Sequence, residues 1–328
     1  MTYAYITGGG TKWIYDSLKK GGASKWFLGG RIPYNQKDFD EILGGQPFDG
    51  KYVSERTAAQ LSVAAYSRAV KLTNDETDSI GIGSTAKLGT TGQRKGRENK
   101  IIISITRVVR GDLQTYMFEH KFPSWMPRIL QERSCSKLID DCLKYKTIMS
   151  IASDKHFDKL DDLKPSTIRS VIVYSGSFNP MHDAHFDIIR QATQRFDNCE
   201  FCLEIPSRNF SKGFIGPWEM STRKAEIKNT PQVWSYPVVF SKASTFVEKA
   251  RILCSSGFTS IVFPMGDDTY DRITDEEKDV LVSLGVSILL FKRHKDNFPD
   301  NHPIIHPSSN TLPKLLSISS TEIRKNAI

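Results

Sequence analysis

Apolar positions along the chain fall into short β-branched runs that alternate with stretches of helical spacing. In the first half, TYAYITG reads as a strand, TKWIYDSLKK as a helix, KWFLGGRIP as a second strand and the region near DFDEILGG as a second helix. SERTAAQLSVAAYSRAVKL predicts a long helix with Ser54 as its N-cap. IGIGSTA and KIIISITRVV read as strands on either side of the Gly/Lys/Arg-rich loop TTGQRKGREN. From about 108 to 150 the patterning is mixed and ends in helices.

The second half is more regular. SVIVYS, residues 170–175, is a short buried strand; a turn leads into the helical spacing of FDIIRQATQRF, and EFCLEIPS follows as a strand. After the basic loop RNFSKGFIGP come a helix from near Trp218, the helix KASTFVEKARILCSSG, the strand TSIVFPMG, the strand SILLFKRH and a final short helix, SSTEIRKNA. Alternating strand and helix predicts an α/β fold with a parallel, Rossmann-like sheet and ligands at the carboxyl ends of its strands. DKHFDKLDDLKPSTIR is charged and carries a proline, so it reads as a linker. The expected layout is one α/β domain over 1–153, a linker over 154–169 and a second domain over 170–328.

Composition narrows this picture. A chain of 328 residues can hold two cores. It has no run of 18 apolar residues, so no transmembrane span is expected. The opening MTYAYITGGG reads as a strand and not as a signal or Arg-rich transit peptide. Five cysteines, sparse and odd in number, point to a reducing compartment: the cytoplasm, with the mitochondrial matrix left open by a net charge of +8. Basic charge suits polyanionic ligands such as nucleotides, and equally an acidic partner. There is no arginine-rich tail or RNA-binding motif, so nucleic acid is not the expected partner. Cys199-Glu-Phe-Cys202 has CxxC spacing but lies in a strand-like run without a second pair, and reads as packing.

The chemistry concentrates in GSFNPMHDAH, residues 176–185. A strand-to-helix turn presents the unpaired N–H groups and positive dipole end of a helix, which attract anions. Gly176, Ser177 and Phe178 bring the backbone to that point, and His182 and His185 can donate to phosphate oxygens from the first turn. A zinc site would need a third ligand that the neighbouring sequence lacks, so no metal ligands are assigned.

GSFNPMHDAH resembles the (H/T)xGH-type signature of the nucleotidylyltransferases, with His185 as its last histidine. ISSTEIR, residues 318–324, resembles the ISSTxIR signature of the nicotinamide/nicotinate mononucleotide adenylyltransferases. GDD at 266–268 resembles that family's GxD, and STFVEKARIL its S-x-T-V-x-T-L helix. The resemblance implies adenylyl transfer from ATP, with Mg²⁺, to a mononucleotide. It implies that His182, His185 and Arg324 act on the phosphates; that Gly176, Ser177, Phe178, Ser319, Ser320 and Thr321 complete the ATP site; and that Lys212, Gly266 and Asp268 meet the second substrate. Trp218 would stack on the nicotinamide side, with a core tryptophan as the equal alternative. The sequence departs from the pattern at Ala184, where a glycine usually precedes the last histidine. The RTxGISTT-like signature of CTP-using relatives is absent, which points to ATP.

GGASKWFLGGRIPYNQKDFDEILGG, residues 21–45, with KYVSERTAAQ, resembles the C-terminal domain of the competence-damage protein CinA, a family that includes nicotinamide mononucleotide deamidases. Aligning TGG onto Thr7-Gly8-Gly9 puts Tyr5 where that family's nucleophilic serine belongs. The family's lysine falls near Phe39, two positions from Lys37. Thr7 or Thr11 could substitute as nucleophile, but the expectation is a catalytically degenerate domain kept for packing, dimerisation or ligand sensing. The expected function is synthesis of a dinucleotide from ATP and nicotinamide or nicotinate mononucleotide in NAD biosynthesis. The alternative is a non-catalytic nucleotide-binding scaffold or accessory subunit. A homo-oligomer or larger assembly stays open in either case.

Overall fold

The computed structural model describes residues 1–43, 50–90, 98–144, 149–209, 213–291 and 305–307. The chain forms two compact units. The first is Met1–His156 together with Ser211–Ser221; the second is Phe157–Phe210 and Thr222–Ile328.

The first unit is built on a six-stranded sheet of order β2-β1-β3-β4-β5-β6. Its strands are β1 (Thr2–Thr7), β2 (Phe27–Arg31), β3 (Ile80–Lys87), β4 (Asn99–Val109), β5 (Asp112–Phe122) and β6 (Ser150–Ser153). β1 runs parallel to both β2 and β3, whereas β3 to β6 pair antiparallel. The helices are α1 (Lys12–Lys19), α2 (Gln36–Leu43), α3 (Glu55–Thr73) and α4 (Arg128–Leu143). Ser54 caps α3, its hydroxyl accepting the Thr57 N–H at 3.1 Å. Glycine lets α3 lie directly on β3: a Cβ on Gly83 would stand 2.2 Å from the Ala58 carbonyl oxygen. One core gathers Ile6, Trp13, Ile82, Ile103 and Ile139; a second holds Tyr5, Phe39, Leu43, Leu61 and Ala65.

β5 is the main departure from the expected elements, which left 108–150 as mixed. Arg110 and Gly111 both take positive φ, 53° and 83°, and make the two-residue hairpin that returns the chain alongside β4.

In the second unit all strand pairs of the main sheet are parallel and the order is β11-β8-β7-β12-β13-β14. These are β7 (Ser170–Ser175), β8 (Glu200–Pro206), β11 (Val238–Ser241), β12 (Ser260–Gly266), β13 (Val286–Phe291) and β14 (Ile305–Pro307); β9 (Arg208–Asn209) is a two-residue strand, as is β10 (Gly213–Phe214) of the first unit. The helices are α5 (Asp183–Arg195), α6 (Pro217–Lys228), which begins in the first unit and ends in the second, α7 (Phe246–Ser255), α8 (Asp267–Tyr270) and α9 (Asp275–Ser283). Val171, Val173, Phe263, Ile288 and Leu290 form the sheet's part of the core. Strand β11 and helices α8 and α9 were not among the expected elements. The stretch 154–169, expected as a linker, holds two short 3₁₀ turns and sends Leu160 fully into the core of the second unit. The helix expected at SSTEIRKNA lies outside the described residues.

Candidate functional site

β7 lies in the middle of its sheet. The chain leaves it through α5 to β8 on one side and returns to β12 on the other. The strand order therefore reverses between β7 and β12, and an open parallel sheet forms its ligand crevice at the carboxyl ends of such a pair. Gly176 to His185 follow β7, and Gly266 to Asp268 follow β12. Seven of the expected site residues thus come from two neighbouring strand ends: Gly176, Ser177, Phe178, His182, His185, Gly266 and Asp268.

The turn after β7 is tightly specified. Phe178 sits at φ +44°, a left-handed conformation uncommon outside glycine, and its ring is 1 % exposed. A Cβ on Gly176 would come within 2.8 Å of that ring. His182 takes extended backbone angles and caps α5. Its N–H donates to His185 Nδ1 at 3.2 Å, and its carbonyl accepts the His185 N–H at 2.8 Å. An Nδ1 that accepts a hydrogen bond leaves the neutral ring's proton on Nε2, so His185 keeps Nε2–H as a donor. The two imidazoles lie 3.7 Å apart between centroids, tilted by 32°, and both are 8 % exposed. Phe178 packs edge-on to His185 at 5.3 Å, and Tyr174 lies 6.1 Å from it. Arg223, on the second-unit end of α6, donates to the Ser177 carbonyl at 3.4 Å. At the β12 end Gly266 caps α8, Asp267 is buried, and its carboxylate accepts the Asp268 N–H at 2.9 Å.

Lys212, Ser319, Ser320, Thr321 and Arg324 lie outside the described residues. Trp218 belongs to the first unit, where it packs on a small cluster that includes Val53, Ala58, Ala59, Ile102 and Met117. Its neighbour Glu219 is 4 % exposed and takes a bidentate ion pair from Arg56, at 2.9 and 3.1 Å. Sequence reasoning did not single out a buried group beside the turn: Lys249, Glu204, Ser175 and Ser241 form one hydrogen-bonded set at the ends of β7, β8 and β11. Among the described residues no cluster of three or more His, Cys, Asp or Glu could hold a metal ion, and no helix is long and apolar enough to cross a membrane.

The first unit has its own cleft, of about 1420 Å³, beside the carboxyl ends of β1 and β3, where its strand order also reverses. Gly8, Gly9, Thr11, Lys87, Arg128 and Glu132 are among its lining residues. The start of α1 is already filled from within: the Glu132 carboxylate accepts the Gly10 N–H at 2.8 Å, the Thr11 hydroxyl at 3.2 Å and the Lys12 N–H at 3.3 Å. Tyr5, aligned with the missing serine, is buried in the α2/α3 core, and burial raises its phenol pKa. Phe39 is fully buried in the same core, whereas Lys37 is exposed on α2.

Solved structures are similar to parts of this chain. The nicotinic acid mononucleotide adenylyltransferase of Plasmodium falciparum, complexed with NaAD, is 16 % identical over 48 % of this chain and 82 % of its own, with a TM-score of 0.39. A competence or damage-inducible protein from Enterobacter asburiae is 14 % identical over 45 % of this chain and 88 % of its own, with a TM-score of 0.33. The competence/damage-inducible protein CihA of Agrobacterium tumefaciens is 12 % identical, covering 45 % and 86 % with a TM-score of 0.34. No curated protein matches the chain. The family model that matches is that of the cytidylyltransferase-like proteins, over residues 173–326, so the second half of the chain is similar to that family.

Proposed function

We propose that residues 170–328 transfer the adenylyl group of ATP, taken as its magnesium complex, to the phosphate of nicotinamide or nicotinate mononucleotide, in NAD biosynthesis. The observation that carries this reading is the His182–His185 pair at the start of α5, in the crevice between β7 and β12. In the reaction a phosphate oxygen of the mononucleotide forms a bond to the α-phosphorus. The bond from that phosphorus to the bridging oxygen breaks, and the electron pair leaves with pyrophosphate. No protein nucleophile is required, so the protein's part is alignment and neutralisation of charge.

The residues are suited to those tasks. The α5 N–H groups and the His185 Nε2–H supply donors for non-bridging oxygens. Gly176 lets the backbone come close to the phosphates, and Asp268 can accept from a ribose hydroxyl. By their motif, Ser319, Ser320 and Thr321 hold the β- and γ-phosphates, with Arg324 as a fixed positive charge and Lys212 as a second one. The first unit, in this reading, has lost amide hydrolysis: a buried tyrosine replaces the nucleophile, the position of the family's lysine falls at the buried Phe39, and Glu132 fills the helix start.

The test is pyrophosphate release by the purified chain with ATP and Mg²⁺, offered nicotinamide mononucleotide, nicotinate mononucleotide or no acceptor, with CTP as the competing donor. Acceptor-dependent release that is lost in His185→Ala supports the reading. Folded protein that binds ATP and releases no pyrophosphate with either acceptor overturns it in favour of a nucleotide-binding scaffold.

A further inference from the structure

Directly behind the histidine-bearing turn lies a fully buried ion pair. Glu204 on β8 is 0 % exposed and Lys249 on α7 is 4 % exposed, with Nζ to Oε2 at 2.9 Å. Lys249 Nζ also donates to Ser175 Oγ at 2.6 Å, and the Ser175 hydroxyl donates to Glu204 Oε2, which closes a triangle. Ser241 at the end of β11 donates to the other carboxylate oxygen at 2.5 Å. The Glu204 main chain takes part as well, its carbonyl accepting the Gly176 N–H at 3.0 Å. Residues 175 and 176, the last of β7 and the first of the turn, are therefore both held by Glu204.

Stability alone does not account for this arrangement. Burying two charges costs several kcal/mol per ion in desolvation, and well-packed apolar residues of similar volume commonly do as well or better. A Ser–Lys nucleophile does not account for it either. Lys249 donates to Ser175 while the serine proton goes to Glu204, so the lysine offers no lone pair to take that proton. What the pair provides is direction, because hydrogen bonds to charged groups are short and orientation-dependent. The backbone must then pass through the left-handed Phe178 before it presents His182 and His185. A tilt at Ser175 is carried into the position of every donor beyond it.

We propose that Lys249 is a positioning residue: through Ser175 and Glu204 it sets the exit of β7 and so aligns the phosphate-binding turn. The proposal rests on the nucleotide-site reading above. The test uses the full chain and ATP with Mg²⁺, read as the Kd from calorimetric titration beside kcat and KM for pyrophosphate release. Ser175→Ala removes the side-chain link to the end of β7 and leaves the Lys249–Glu204 pair and the backbone bond from Gly176 intact. It is expected to melt like wild type and to weaken ATP binding about tenfold, the scale of one well-formed hydrogen bond. Ser175→Thr, which keeps the hydroxyl, is expected to restore binding. Lys249→Met with Glu204→Gln, the charge-neutral pair, is expected to raise Kd and KM by at least as much. A merely structural role lowers the active fraction and kcat and leaves Kd and KM where they were. Wild-type binding by Ser175→Ala overturns the positioning role while wild-type turnover still upholds the transferase. ATP binding without turnover in wild type overturns the transferase and leaves the Kd comparison decisive for Lys249. A wild-type chain that binds no ATP overturns both.

Discussion

Glu132 offers the sharpest test of how the first unit is built. Its carboxylate accepts three hydrogen bonds from the start of α1, a segment more than a hundred residues away in the chain. The Gly10 N–H contact at 2.8 Å is a short, charge-assisted bond of about 2 kcal/mol; the two longer contacts, partly exposed, add about 0.5 kcal/mol each. Glu132→Ala is therefore expected to cost about 3 kcal/mol, or roughly 6–12 °C in the melting of a unit this size. Tryptophan fluorescence reports on that unit: Trp13, Trp26, Trp125 and Trp218 belong to it, and Trp234 in the other unit is 62 % exposed. The variant also uncovers a helix N-terminus with free donors, which is an anion site. Added sulfate or inorganic phosphate should raise the melting point of Glu132→Ala further than that of wild type. A transition unmoved by the substitution, or an equal response of both proteins to the anion, would refute the reasoning.

Other substitutions probe separate links. Arg56→Ala strips the ion-pair partner from a Glu219 that is 4 % exposed and should cost roughly 3 kcal/mol, the lower range for buried pairs because Arg56 is 20 % exposed. Glu219→Gln leaves instead the Arg56 cation, which at 20 % exposure reaches water, and should cost less; urea titration ranks the two. Gly176→Ala puts a methyl 2.8 Å from the buried Phe178 ring and should destabilise by about 1–3 kcal/mol while weakening ATP binding in calorimetric titration. Burial pushes the Cys135 thiol up from 9.0 to about 12. The unfolded chain therefore ionises first, and the stability from that neutral thiol is whole below pH 9.0 and lost as pH rises towards about 12. Alkaline titration of the fluorescence should show this decline, and Cys135→Ala should flatten it.

The local elements were legible because their signals are local. Ser54 caps its helix within three residues, the β-branched runs at 80–87 and 170–175 are buried strands, and the Gly-Ser-Phe-Asn-Pro turn announces itself. β5 was not legible, because DLQTYMFEHKF mixes charge into a strand. Its charges are answered by neighbouring residues: Glu119 pairs with Lys100 at 3.0 Å and Lys121 with Glu98 at 2.7 Å. The four-residue β11 is too short to show a period. Half of the candidate site could be read from its turn and its GDD. Lys249 could not, because it looks like one more charge in a helix and meets Ser175 only across 74 residues. Glu132 escaped for the same reason, its partner Gly10 lying 122 residues away.

Both units place a strand, a glycine-bearing turn and a helix start at the point where the strand order reverses, so the backbone offers each of them an anion site. What separates them is the side chain that reaches the donors. In the first unit a carboxylate from α4 occupies them, and an anionic ligand would have to displace a tethered, hydrogen-bonded competitor. In the second two imidazoles stand at the helix start, and His185 Nδ1 takes one of its N–H groups, that of His182, without bringing a negative charge. A tethered carboxylate acts at high effective concentration and needs no ordering on binding, so one residue on a distant helix is enough to close a site that the fold leaves open. Under the proposed function, loss and retention of anion chemistry thus turn on a side chain and not on the topology. That is why Glu132→Ala is expected to open a site in the first unit without altering its fold.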